Sequence, residues 1–168
     1  MRVDIDRAAQ VVRVAAEFDW SWTADDLPAF SERVGWHLDR LDTRWPSLNT
    51  NLDVNRTDTM LNVGSAAQPG GPRQLKQIAF SVTDVVVDGP SVEPALNGVF
   101  DDLWQAVFEV VGKRPTGWWI VPSRGLRWDL PSVVVTVTMS ARSVYVRLVS
   151  PAYQRWNDEN DQSLEDDE

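Results

Sequence analysis

Apolar residues recur at every second position between residues 126 and 150. Leu126, Trp128 and Leu130 alternate with polar neighbours, Val133, Val135, Val137 and Met139 follow, and Val144, Val146 and Leu148 repeat the spacing after a polar break. Period-two spacing of β-branched and aromatic residues predicts strands with one face on a core. The break Ser140-Ala141-Arg142 is short enough to close a hairpin, without the Asn-Gly signal that would name its turn. An antiparallel unit of this size needs a second layer to be stable.

Helical spacing predicts where that layer comes from. Ile5, Ala8, Val12 and Ala15 form one stripe in a helix over 4–18, with Asp4 or Asp6 placed to cap it. A second helix opens at Thr23, carries Asp25 and Asp26 in its first turn, shows Leu27, Phe30 and Val34 on one face and ends at Gly35. The longest starts at Ser91, with Pro94 early in it, and ends at Gly112. Its stripe is Val92, Leu96, Val99, Leu103, Val107 and Val110, widened by Phe100, Trp104 and Phe108. Gly98 inside it costs about 1 kcal/mol against Ala, which predicts close packing there. Strand spacing appears at 36–41, 48–55, 59–64 and 74–84, with a turn or edge at Arg44-Trp45-Pro46, a turn at 55–58, a loop at 65–72 and a stop at Asp88-Gly89-Pro90. A short strand is expected around Trp118-Trp119-Ile120-Val121. The order predicts an α+β domain: an antiparallel sheet of about six to eight strands, with two N-terminal helices and one long central helix packed on it.

A length of 168 residues and 43% hydrophobic content fit one domain with a sizeable core, expected over 1–156. There is no Cys, which removes disulfides, thiolate metal sites and a Cys nucleophile together. No apolar run is long enough to span a membrane, and the N-terminus lacks the apolar core of a signal peptide, so a cytoplasmic protein is expected. The net charge is −9, of which residues 157–168 contribute −7, leaving −2 for the body. That acidic tail is expected to be disordered, with attraction of a basic partner as the competing reading. No basic cluster with interleaved aromatics points to nucleic acid.

Catalytic chemistry is not legible. His37, the one histidine, falls on the solvent side of its strand and reads as a surface residue. Asp25/Asp26 and Asp101/Asp102 are adjacent on helices, so each pair diverges by about 100° and does not form a shared acid–base site. No phosphate loop, nucleophile elbow or zinc-binding helix motif occurs, and no cofactor or metal is expected. Tryptophan is the unusual feature. Nine cannot all fit one small core, and Trp22, Trp45 and one of Trp118 or Trp119 are expected to keep a face exposed.

Several stretches carry a resemblance: Phe18-Asp19-Trp20-Ser21-Trp22-Thr23 followed by Asp26-Leu27-Pro28 and Gly35-Trp36, the run Ile78 to Asp84 before the long helix, and Leu126-Arg127-Trp128 before the terminal hairpin. Over roughly residues 10–150 the chain resembles an uncharacterised family of small actinobacterial domains, which look like immunity proteins encoded beside secreted polymorphic toxins. The nearest analogy is the immunity factor of an NAD-glycohydrolase toxin. What the resemblance implies is a non-enzymatic protein, monomer or weak dimer when free, that occludes the active site of a cognate toxin. A secretion chaperone or adaptor, which would need an exposed apolar groove, is the alternative, and a small-molecule-binding domain the second. An inhibitor of a toxin with a basic cleft benefits from acidic groups around an aromatic anchor. Two regions offer that: Trp20, Trp22, Asp25 and Asp26 at the helix junction, and Trp45, Asp42, Asp53 and Asp58 on loops and strand ends. For the first, the competing reading is that Trp20 and Trp22 plug the ends of the core.

Overall fold

The computed structural model describes residues 1–40, 46–87 and 91–166, the side chains of 162–166 excepted. The expected strands at 126–150 form the centre of one antiparallel sheet. Its elements are β3 (Met60–Ala66), β4 (Arg73–Ser81), β5 (Gly117–Trp119), β6 (Gly125–Asp129), β7 (Val134–Met139) and β8 (Val144–Val149), in the order β3-β4-β8-β7-β6-β5. The β7–β8 turn is closed by Ser140. Its N–H donates to Ser143 O at 2.8 Å, and its hydroxyl accepts from the N–H groups of Arg142 and Ser143. A serine hydroxyl thus does what Asn-Gly does in tighter hairpins.

The inner face is covered by α1 (Ile5–Glu17) and α3 (Glu93–Val111), with α2 (Asp26–Val34) against α1. Asp4 caps α1, accepting from Arg7 N at 3.2 Å. Gly35 ends α2 and Gly112 ends α3, both in the left-handed region that spares only glycine a steric cost. The core between the layers holds Ile78, Phe80, Val135, Val137, Val146 and Leu148 from the sheet and Leu96, Phe100, Leu103 and Val107 from α3.

Three expectations change. The strand expected at 48–55 shortens to β2 (Ser47–Asn49), which pairs only with β1 (His37–Asp39) in a separate two-stranded sheet. Leu52 and Val54 are still buried, but on a looped backbone held by side chains: Asp4 accepts from Asp53 N at 2.9 Å and Asp84 from Asn55 N at 2.6 Å. Gly98 is exposed with open space around it, so no close approach explains it. The Arg44–Pro46 turn (at residues 44 and 45) and the Asp88–Pro90 stop lie outside the described residues.

The third change is at the C-terminus. Where composition leads one to expect disorder from residue 157, the chain continues as α4 (Pro151–Asp166) and returns to the outer face of the sheet. The Tyr153 hydroxyl accepts from Asn62 at 3.3 Å, and Arg127 donates from both terminal nitrogens to Asp158 at 3.0 and 2.9 Å. The fork also reaches Asp129 at 2.8 Å. A two-point guanidinium–carboxylate contact offsets ordering entropy that seven scattered charges could not. Val134, Thr136 and Val149, which the alternation put on the solvent side, are buried on this covered face. Among the described residues no helix is long and apolar enough to cross a membrane.

The bond from Arg127 holds the Asp158 carboxyl below its ordinary value, partial burial opposing it. A depressed native pKa contributes stability that is present above the unfolded value, near 3.8, and is lost as pH falls through the native one. Arg127→Gln is therefore expected to loosen α4 at neutral pH and acid to loosen it in the wild type. Amide exchange at 152–161 should read both. Equal protection in wild type and variant would show that α4 is held by something else.

Candidate functional site

The first acidic–aromatic region is a locked junction. Trp20 and Trp22 are stacked with ring centroids 4.3 Å apart and 12° between planes, and both are half-buried against the core. Their indole N–H groups are committed, Trp20 to Ala15 O and Trp22 to Ser132 O, each at 2.9 Å. Asp26 is 7% exposed and accepts from Ser21 N, Ser21 Oγ (2.7 Å) and Trp22 N (2.7 Å). These bonds hold Trp22 at a φ of 55°, rare for a residue with a side chain. Leu75 N to Trp22 O and Ala24 N to Arg73 O then stitch the segment to β4. Asp25 is exposed and caps nothing with its side chain.

The second region is split. Asp53 pairs with Arg2 at 3.5 Å and Asp58 with Arg56 at 3.5 Å, both at the surface. Asp42 and Trp45 lie outside the described residues. His37 is exposed, as its alternation implies. Among the described residues no group of His, Asp or Glu side chains is placed to hold a metal ion.

An open apolar feature lies elsewhere, between the C-terminal half of α3 and the edge strand β5. A cleft of about 770 Å³ is walled by Phe100, Trp104 and Phe108 on the helix and by Trp118, Ile120 and Leu126 on the strand side, with Glu109 and Arg114 also lining it. Its back is held by Arg124. That guanidinium lies 4.4 Å over the Phe100 ring and donates to Asn97 at 2.9 Å and Asp101 at 2.8 Å, fastening the β5–β6 connection to the helix. Trp128 ties β6 to the chain after α3, its indole donating to Lys113 O at 3.0 Å. Trp119 lies across Gly125, where any Cβ would collide with the indole. Beyond the cleft the apolar surface continues: Trp118 is 73% exposed, Ile120 65% and Val121 78%. The expectation that one of Trp118 or Trp119 stays exposed is met by Trp118.

A protein-family model matches residues 6–150. The chain belongs to DUF6301, a family of unknown function. No curated protein and no solved structure matches it. The part that matches DUF6301 takes in the whole sheet, α3 and both walls of the cleft, and stops one residue before α4.

The cleft was not among the sites expected for this DUF6301 chain, although a signal for it is present. Trp118-Trp119-Ile120-Val121 is four apolar residues in a row, and successive strand residues point to opposite faces, so the run cannot all turn inward. On α3, Trp104 and Phe108 make the stripe wider than one sheet face can cover.

Proposed function

We propose that this protein acts by binding another protein, as a cytoplasmic immunity protein that blocks the active site of a cognate secreted toxin domain. The observation that carries the reading is the apolar edge: Trp118, Ile120 and Val121 exposed beside an aromatic cleft of about 770 Å³. Exposed apolar surface of this kind, beside charged groups such as Glu109 and Arg114, has the makeup of an interface core with a polar rim. Tryptophan is over-represented among residues that dominate binding energy. The acidic residues at the surface, Asp25, Asp53 and Asp58 among them, suit a partner with a basic cleft and would act on the association rate more than on affinity. The same open groove favours one other reading, an adaptor that receives an amphipathic segment of a secreted protein.

Co-expression with secreted toxin domains, NAD-glycohydrolase domains first, tests this. Rescue of growth and a stable complex are expected. Trp118→Ala should weaken the complex by about 2 kcal/mol or more, with an unchanged melting temperature because the side chain is mostly in water. A wild-type chain that neither rescues nor binds would end the immunity reading. Capture of a secreted substrate without a toxin domain would establish the adaptor.

A further inference from the structure

On the outer face of the sheet, opposite the cleft and on the same side as α4, there is a second cavity. We infer that it is a binding site for a phosphate monoester carried on an apolar or aromatic body. Its floor follows from the register of β4 and β8. Ala79 pairs with Arg147 and Ser81 with Tyr145, all four pointing outward because their neighbours Ile78, Phe80, Val146 and Leu148 fill the core. Two small side chains on β4 beside two long ones on β8 leave a trough along β4. Met60, which pairs with Ala79 from β3, and the loop residues Arg56 and Asp58 form its other side. The β7–β8 turn and Val85 close one end, where Val86 N donates to Arg142 O at 3.2 Å. The volume of this half-open trough is about 420 Å³, within the range of small-molecule sites.

The chemistry of the lining is cationic, against the acidic balance of the chain. Arg56, Arg142 and Arg147 face it with Asp58 as the single carboxylate, and Asp58 already pairs with Arg56. Arg147 is oriented by one bond, Nε to Thr136 Oγ1 at 3.1 Å, which leaves its two terminal nitrogens to the cavity. Among the described residues neither Arg142 nor Arg147 makes an ion pair, and the hydroxyls of Tyr145 and Ser81 make no hydrogen bond. A guanidinium held by one nitrogen presents its remaining N–H groups as a planar fork, the geometry that suits phosphate oxygens. The Tyr145 ring, the Ala79 methyl and the Met60 side chain supply a surface for an aromatic or apolar body beside the charge.

Titration calorimetry on the full chain, at low salt, tests this with adenosine monophosphate and phenyl phosphate as probes. Inorganic phosphate and adenosine supply the charge alone and the body alone. At least one ester is expected to bind with a dissociation constant below about 1 mM and more tightly than inorganic phosphate, while adenosine should not bind. Arg147→Gln and Arg142→Gln should each weaken binding about tenfold. Arg142 sits on an exposed turn whose bonds are all made by backbone and Ser140, so that variant tests the site without risk to the fold. Ala79→Leu, which fills the floor and leaves every charge in place, should abolish ester binding. Absence of saturable binding by both esters at about 10 mM, equal affinity for inorganic phosphate and the esters, or affinity unchanged in the two arginine variants would each overturn the assignment.

Discussion

Trp128→Ala is expected to lower the stability of the domain by about 3–5 kcal/mol, the usual cost of truncating a buried tryptophan. The side chain is fully buried, and its indole N–H is the bond that ties β6 to the segment after α3. Truncation leaves a cavity under the long helix and removes the partner of Lys113 O. Domains of this size are stable by only about 5–15 kcal/mol, so the variant should melt about 10 °C or more below the wild type. Trp118→Ala serves as the control. With 73% of that side chain in water there is little burial to lose, and a change below about 1 kcal/mol is expected. Urea denaturation of the two variants side by side measures both. Equal costs would mean that β6 does not pack as described.

Asp26→Ala should cost about 2–4 kcal/mol while its neighbour Asp25→Ala stays within about 0.5 kcal/mol. The Asp26 carboxylate is the acceptor for two backbone N–H groups and a hydroxyl in a buried junction, and without it Ser21 N and Trp22 N lose their partner. Bonds to an ionised acceptor are worth about 1.5–3 kcal/mol each, and leaving a buried donor unpaired adds its desolvation cost. The left-handed Trp22 backbone then loses the acceptor of its N–H, so the stitching to β4 through Leu75 N should loosen as well. Asp26→Asn should rescue in part, because the amide oxygen can still accept from Ser21 N and Trp22 N and the NH2 can donate to the Ser21 hydroxyl, while the charge is lost. Amide exchange at Trp22 and Leu75, together with denaturation midpoints, separates the two positions. A paired loss at Asp25 and Asp26 of equal size would instead place both in one surface role.

The helices illustrate how far local pattern reaches. Gly35 and Gly112 are legible as helix ends because a left-handed residue has a sterically narrow set of candidates, and the α1 and α3 stripes are legible because burial on a helix repeats every 3.6 residues. The same logic fails for 48–55. Leu48, Leu52 and Val54 do alternate into the core, yet the backbone there is pinned by Asp4 and Asp84, which lie far away in sequence. Alternation reports which side chains are buried, not which backbone groups are paired. The acidic C-terminus shows the same limit. Its charge count argues against order, and long-range contacts, the Arg127–Asp158 pair foremost, reverse the outcome.

The amino-acid sequence by itself determined the α+β class, the positions of the three main helices and the central hairpin, and the surplus of tryptophan over what one core can hold. These are local or compositional properties, set by side-chain periodicity and by the volume of a small core. Only the tertiary structure decided which of two adjacent aspartates is interior and which tryptophan meets water. It also decided that β5 is an edge, and that Ala79 and Ser81 stand beside Arg147 and Tyr145. Each of those depends on strand order and register, which arise from contacts between residues tens of positions apart that no local period encodes.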